Sequence, residues 1–174
     1  MNALLNRACL MTLFIASNIS AQQVCKDYID DNWSNSRYII QNNSGETTVI
    51  DTQSKLMWQQ CAYGLSGVNC VDGLAISFSW DQALNVVTTQ NNIGYAGFND
   101  WRLPNIKEIL TLSARNCYFP ALNKTIFPNA PQYMWTSTPS DMTANESWVM
   151  DFRTGYDETQ PRVNLLHVFM VRNQ

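Results

Sequence analysis

Apolar residues recur at helical spacing near the middle of the chain. The stripe comprises Trp80, Ala83, Leu84 and Val87. Ser79 precedes the stripe as a candidate N-cap, and Gln82 occupies the position that completes a capping box. The pattern therefore predicts a first helix over about residues 80–91.

A second helix is predicted after a Trp-Arg-Leu-Pro run at residues 101–104. Pro104 disfavours the helical conformation at the residue before it, and Asn105 can cap a helix with Glu108 in the capping-box position. One face of this helix would carry Ile106, Ile109, Leu110 and Ala114. We expect the helix to span about residues 105–116.

The Trp-Arg-Leu-Pro run itself is typical of architecture and not of catalysis. Strand-to-helix junctions often hold a nucleophile, but this one contains no Ser, Cys or His. Trp101 is expected to be buried, and Arg102 to pair with Glu108 or Asp100 inside the fold. The predicted structural motif comprises Trp101, Arg102, Pro104, Asn105 and Glu108.

Strand patterns lie on both sides of the helices. Short strands are predicted at residues 47–51, 56–60 and 133–137. Residues 148–152 alternate in the manner of a half-buried strand, with Trp148, Met150 and Phe152 on its inner face. The continuous apolar run at residues 163–172 predicts a central strand buried on both faces. We find no internal repeat, and residues 22–47 are polar with little periodicity. Two helices and a strand-rich second half predict an α+β fold, with the helices packed on a twisted, mostly antiparallel sheet.

A targeting segment is predicted at the N-terminus. Arg7 precedes an apolar run at residues 8–15, and small residues end the segment at Ala21, which indicates cleavage there. The apolar run is shorter than the roughly 20 residues that a membrane span needs, as is every later apolar stretch. We therefore expect a signal peptide at residues 1–21 and export to the periplasm, the cell surface or the medium, with no membrane span.

Export would leave Cys25, Cys61, Cys70 and Cys117 in the mature protein. An even number of cysteines in an exported chain predicts two disulfides, and three pairings are open. Cys61 and Cys70 bracket a short loop with Gly and Ser, so a local bridge is sterically easy. Cys25 would then reach Cys117, which would tie an N-terminal extension at residues 22–47 to a main domain at residues 48–174.

Charge and motifs narrow the function classes. The chain has 11 Lys and Arg against 14 Asp and Glu, a net charge of −3, so it lacks the basic footprint of a nucleic-acid-binding protein. No GxSxG, HExxH or P-loop motif is present, which indicates that the protein is not an enzyme. The single histidine, His167, is interpreted as a hydrogen-bonded structural residue.

No cofactor or metal site is expected from the sequence. One histidine and no CxxC argue against zinc. Asn99 and Asp100 offer oxygen ligands of the kind that calcium uses, but calcium needs six or more of them. Calcium therefore remains only an alternative.

Six motifs in order carry a resemblance to a known family. They are Leu-Met-Trp-Gln-Gln-Cys (56–61), Ser-Trp-Asp-Gln-Ala-Leu (79–84), Gly-Phe-Asn-Asp-Trp-Arg-Leu-Pro-Asn (97–105), Asn-Lys-Thr-Ile-Phe-Pro-Asn (123–129), Met-Trp-Thr-Ser-Thr-Pro (134–139) and Trp-Val-Met-Asp-Phe (148–152). From about residue 48 to the end, the chain resembles the C-terminal domain family of the Legionella collagen-like adhesin (Lcl).

The resemblance implies an exported bacterial domain, in a family whose namesake is implicated in adhesion to sulfated glycosaminoglycans. The Arg-Leu-Pro-x-x-x-Glu element also resembles the C-type-lectin-like fold, including its formylglycine-generating branch. The chain departs from the family at two places. Phe169 lies where members often have Arg, and residues 157–162 form a short, polar hairpin region where many members have a longer, Tyr-rich sequence.

Aromatic and basic residues supply the candidate binding groups. Trp33, Tyr38, Tyr63, Tyr118, Tyr133 and Tyr156 lie in loop-like surroundings, where aromatic rings can stack on sugars or grip a protein. Basic side chains in the second half of the chain could engage sulfate or carboxylate groups. The predicted ligand-binding residues are Tyr133, Tyr156, Lys124, Arg153 and Arg162.

Three functions follow as hypotheses. The first is a non-enzymatic binding or adhesion module that recognises a glycan or a cell-surface protein. The second is a structural subunit of a surface assembly, such as a pilus, a fibre or a homo-oligomer. The third is an enzyme related to the formylglycine-generating branch, which would need a reactive cysteine pair or a metal.

Overall fold

Two antiparallel sheets, two short strand pairs and two helices make up the part of the chain that the structure describes. The computed structural model describes residues 22–174, so the predicted signal peptide lies outside the described residues. The strands are β1 (Val24–Cys25), β2 (Tyr38–Asn43), β3 (Glu46–Asp51), β4 (Leu56–Gln59), β5 (Leu65–Ser66), β6 (Asp72–Gly73), β7 (Cys117–Tyr118), β8 (Tyr133–Pro139), β9 (Glu146–Asp151), β10 (Tyr156–Pro161) and β11 (Val171–Asn173). The helices are α1 (Trp80–Ile93) and α2 (Ile106–Leu110).

The larger sheet has the strand order β11-β4-β3-β2, and the smaller has the order β10-β9-β8. All strand pairs within them are antiparallel. The C-terminal segment connects the two sheets, because His167 forms a parallel bridge to Met134 and Val171 lies in β11 beside Trp58. The predicted α+β fold is confirmed, and its C-type-lectin-like architecture stays a prediction.

The sheets lie between two apolar clusters, one on each face. Neighbouring residues of a strand point into different clusters: Trp58 enters one and Met57 the other, as do Met150 and Val149. Trp58, Trp135, Phe152 and Phe169 are among the largest fully buried side chains. Burial on both faces explains why so many strand residues are apolar without alternation.

Two strand predictions need correction, for different reasons. The strand predicted at residues 148–152 is present as part of β9, but its predicted half-burial is wrong, because Val149 and Met150 are both fully buried and Trp148 is half-buried. The run at residues 163–172 is not one strand. Val163 and Leu165 are 81% and 61% exposed, and only its last part is buried and enters β11.

Both helices begin as predicted, with complete capping boxes. Ser79 and Gln82 cap α1, which ends at Gly94 in the left-handed conformation, with φ of 70°. Asn105 and Glu108 cap α2. However, α2 is much shorter than the predicted range, because Ala114 donates its N–H to Ala121 across a loop and not back along a helix.

The described part of the chain contains two disulfides, Cys25–Cys117 and Cys61–Cys70. The first lies where β1 pairs with β7 and joins residues 92 positions apart. No strand was predicted at β2, which lies inside the predicted N-terminal extension and pairs with β3. Tyr38 in β2 is therefore only 7% exposed, against the expectation of a loop aromatic. Among residues 22–174, no helix has the length and apolar character to cross a membrane.

Candidate functional site

The Trp-Arg-Leu-Pro motif forms a tightly bonded junction between α1, α2 and β11. Trp101 is 2% exposed, and its indole N–H donates to the carbonyl of Tyr95 at 2.9 Å. The Asn91 side chain accepts from the backbone N–H of Trp101 and donates to its carbonyl, both at 2.8 Å. These bonds hold the motif inside the fold, as expected for Trp101.

Arg102 forms a two-pronged ion pair with Glu108, with N···O distances of 2.6 and 2.7 Å. Glu108 also accepts from the backbone N–H of Asn105 at 2.8 Å, so one carboxylate serves both the cap and the ion pair. Pro104 accepts a hydrogen bond from the N–H of Ser137 in β8 at 2.8 Å. All five predicted motif residues thus lie in one region with structural contacts.

Asp100 pairs with Arg172 and not with Arg102. Its carboxylate accepts from Nε and Nη2 of Arg172 at 2.7 and 3.2 Å, and the hydrogen bonds lower the pKa of Asp100 although desolvation opposes them. Within residues 22–174, no group of three or more His, Cys, Asp or Glu side chains could hold a metal ion.

The hairpins β3-β4 and β9-β10 share one turn design. In β3-β4, Asp51 accepts from the N–H of Gln53 at 3.0 Å and from the hydroxyl of Ser54 at 2.6 Å. In β9-β10, Asp151 accepts from the N–H of Arg153 at 2.8 Å and from the hydroxyl of Thr154 at 3.2 Å. Although no internal repeat was predicted, this likeness is visible in the sequence as Val-Ile-Asp-x-x-Ser and Val-Met-Asp-x-x-Thr.

The second turn places Arg153 at a cavity. Nε and Nη2 of Arg153 donate to the Asp151 carboxylate, at distances from 3.0 to 3.2 Å. Nη2 also contacts the hydroxyl of Tyr133, whose ring lies 5.0 Å from the guanidinium carbon. Within the described chain Nη1 makes no hydrogen bond, and the side chain is 39% exposed, so one donor edge remains open to solvent.

The cavity has a volume of about 240 Å³. Its wall combines apolar side chains with amides and two cations: Phe119, Phe127, Lys124, Asn129, Gln132 and Arg153. Phe119 is held there because its N–H donates to the carbonyl of Arg153 at 2.7 Å. Apolar walls beside cations and amides suit a ligand with both a nonpolar face and an anionic group.

A second cavity has a volume of about 310 Å³. The same two segments of the chain line both cavities: Phe119 and Arg153 line the first, and their sequence neighbours Tyr118 and Thr154 line the second. Its other side chains include Lys26, Arg115 and Tyr156. The disulfide Cys25–Cys117 brings Lys26 to within 6.0 Å of the Tyr118 ring centre. We call the side chains around both cavities the basic aromatic surface: Lys26, Arg115, Tyr118, Phe119, Lys124, Arg153 and Tyr156.

Four of the five predicted ligand residues lie at or beside this surface. Lys124 and Arg153 line the first cavity, Tyr156 lines the second and Tyr133 contacts Arg153. Arg162 lies elsewhere, because its guanidinium stacks at 4.3 Å on the ring of Trp80 and its Nε donates to Ser147 at 2.9 Å. Arg162 lines neither of the two cavities.

The sequence interpretation missed Lys26, Arg115 and Phe119. A signal was present, because the run Arg-Asn-Cys-Tyr-Phe ends in aromatics and its cysteine is one partner of the predicted long-range bridge. His167 also differs from expectation. Its backbone is bonded to Tyr133 and Trp135, but among the described residues Nδ1 has no partner, and burial lowers its pKa.

Comparison with known proteins places these features in context. A family model for the Lcl C-terminal domain matches residues 47–172. The matched range includes both helices, the Trp-Arg-Leu-Pro motif and the residues in the second half of the chain that line the two cavities. No curated protein was found to match the chain.

Proposed function

Because the chain belongs to the Lcl C-terminal domain family, an adhesin-related group, we propose that it is an exported binding domain for acidic glycans. The ligand would be a sugar chain with sulfate or carboxylate groups, held at the basic aromatic surface. The observation that carries the proposal is the open donor edge of Arg153 next to Lys124 over a cavity walled by Phe119.

The charges support an anionic ligand. Lys26 and Arg115 at the second cavity and Lys124 and Arg153 at the first form a local basic patch on a protein with net charge −3. Of these, Arg153 is partly neutralised by Asp151, and the others form no salt bridge within residues 22–174. Unpaired cations bind sulfate or carboxylate without first breaking an internal ion pair.

The aromatic side chains support a sugar as the carrier of the anion. Phe119 is 42% exposed and Tyr156 is 75% exposed, so both rings present large apolar faces to solvent. Such faces can stack on the nonpolar face of a pyranose ring, while the cations select an acidic one.

The disulfide-bonded state of the cysteines supports a binding function without catalysis. All four cysteines of the described chain are in disulfides, so those residues offer no thiol for chemistry of the formylglycine-generating type. The disulfides also suit an exported protein, because they persist in oxidising compartments.

Heparin affinity chromatography at low salt tests the proposal. We expect the Lys124→Gln, Arg115→Gln double variant to elute at lower salt than the wild type, because it removes one cation from each cavity. The matched control is the double variant Lys55→Gln, Lys107→Gln. It makes the same charge change at exposed positions that are not part of the basic aromatic surface. Equal shifts in both variants, or no retention of the wild type on heparin and on a pectin or alginate matrix, would contradict the proposal.

A further inference from the structure

Strand β2 is an unprotected edge of the larger sheet. It pairs with β3 on one side and with no strand of the described chain on the other. Ile39 and Ile40, on opposite faces of the strand, are 48% and 47% exposed. The strand sequence Tyr-Ile-Ile-Gln-Asn-Asn contains no charge and no proline, the usual devices that prevent edge pairing.

The register of the hairpin shows which backbone groups are free. Asn43 and Glu46 flank the two-residue turn and form a hydrogen-bonded pair, so Gln41 and Ile39 also direct their backbone groups toward β3. Ile40 and Asn42 alternate with them and direct both N–H and C=O outward. Within residues 22–174, neither makes a backbone hydrogen bond on that side.

The edge is also open to solvent, because residues 39–42 are all exposed. The groove of about 460 Å³ that Ile40 and Asn42 line lies over a face of the sheet, since Thr47 of β3 and Gln60 beyond β4 line it too. Backbone donors and acceptors at this spacing are satisfied by another extended strand.

We propose that the strand is β2 of a second copy of this chain, in a two-fold symmetric antiparallel pair centred on Gln41. Ile40 of each copy then lies opposite Asn42 of the other, and each such pair exchanges both of its outward hydrogen bonds. The result is a continuous eight-stranded sheet across the dimer, since each copy contributes a four-stranded sheet.

The chemistry of β2 favours a second copy as the occupant. A neutral strand meets itself without like-charge repulsion, and the amide side chains of the two Gln41 residues can bond to each other across the axis. The outward groups of Ile40 and Asn42 are symmetric about Gln41, so self-pairing satisfies all of them at once. Strands of six residues bury less than the roughly 1,200 Å² of a standard interface, so the dimer is expected to be weak and concentration-dependent.

Single-cysteine variants test the register directly, because every cysteine of the described chain is already in a disulfide. In the proposed pair the two Gln41 positions lie about 4.5 Å apart between Cα atoms, which suits a disulfide. Gln41→Cys should therefore yield a covalent dimer in mild oxidant. Ile39→Cys should not, because residue 39 lies roughly 13 Å from its own copy along the strand. Equal cross-linking of both variants, or of neither, would overturn the proposal.

Sedimentation velocity of the full chain over a range of concentrations provides a second measurement. The wild type should shift from monomer toward dimer, and Ile40→Lys should remain monomeric because a charge then lies at the pairing edge. Leu74→Lys is the control, since Leu74 is 81% exposed and lies outside β2. A wild type that is monomeric throughout would overturn the proposal. The inference is independent of glycan binding, because β2 contains no residue of the basic aromatic surface.

Discussion

Asp51 and Asp151 show how one residue can organise a hairpin turn and hold an arginine. Asp51 is fully buried and accepts from Nε of Arg37 at 2.7 Å. Asp151 is also buried and does the same for Arg153, but that arginine is 39% exposed and keeps an open edge. The same turn chemistry therefore stabilises the core at one hairpin and presents a candidate ligand group at the other.

The buried pair predicts acid sensitivity. Burial opposes the charge of Asp51, but hydrogen bonds from Arg37 and Ser54 hold its pKa below the ordinary value of 3.8. A carboxyl with a lowered folded-state pKa stabilises the protein above its ordinary pKa, and that contribution is lost as pH falls through the folded-state value. Urea unfolding from pH 7 to pH 2 should therefore show stability falling below about pH 4.

Asp51→Asn provides the comparison for this pH dependence. It should cost about 3–5 kcal/mol at pH 7, because Arg37 is left buried without its charge partner. Its stability should then change less between pH 5 and pH 2 than that of the wild type. An unchanged acid slope in the variant would show that other carboxyl groups cause the loss.

At the scale of elements, the hairpin β9-β10 depends on a close approach at its turn. Gly155 has φ of +83°, and a Cβ there would lie 2.9 Å from both Ala121 and Ser113. The turn thus packs against the loop that carries the first cavity, which fixes Arg153 relative to Phe119. Strand β2 is the opposite case, because no strand of the described chain pairs with its outer edge.

Gly155→Ala should destabilise the protein by about 1–3 kcal/mol, from backbone strain and overpacking together. Gly45→Ala is a matched control, because Gly45 has φ of +88° but no atom within 4 Å of its added Cβ. The difference between the two in thermal or urea unfolding measures the packing contribution. Equal losses would mean that backbone strain accounts for the whole effect.

At the scale of the whole molecule, two disulfides constrain very different lengths of chain. Cys25–Cys117 joins residues 92 positions apart, whereas Cys61–Cys70 joins residues 9 apart. The long bridge ties the N-terminal segment to β7 and brings Lys26 to the basic aromatic surface. It therefore contributes to both stability and the composition of the site.

Replacing Cys25 and Cys117 by Ala should cost about 4–5 kcal/mol, against roughly 2–3 kcal/mol for Cys61 and Cys70, by the chain-entropy model. Calorimetry of the two double variants measures the order of the losses. A larger loss from the short bridge would indicate that native-state packing of the loop outweighs chain entropy.

The sequence determined the local features of this protein. Capping residues and apolar spacing predicted where α1 and α2 begin, since such signals act within a few residues. The even number of cysteines and the short loop between Cys61 and Cys70 favoured both bridges among three open pairings, and ordered motifs predicted the family. Glu108 was one of the two partners predicted for Arg102, since both candidates lie within six positions of it, and the structure shows the pair with Glu108.

Only the tertiary structure decided what depends on distant contacts. Alternation gave the wrong burial for β9, because apolar clusters cover both of its faces. Strand β2 shows no alternation of apolar and polar residues, and its pairing with β3 places it in the sheet. The basic aromatic surface combines Lys26, Arg115 and Arg153, which a disulfide and a backbone hydrogen bond bring together from three separate segments. Local sequence patterns cannot predict this arrangement, because the contacts that stabilise it join residues that are far apart along the chain and meet only on folding.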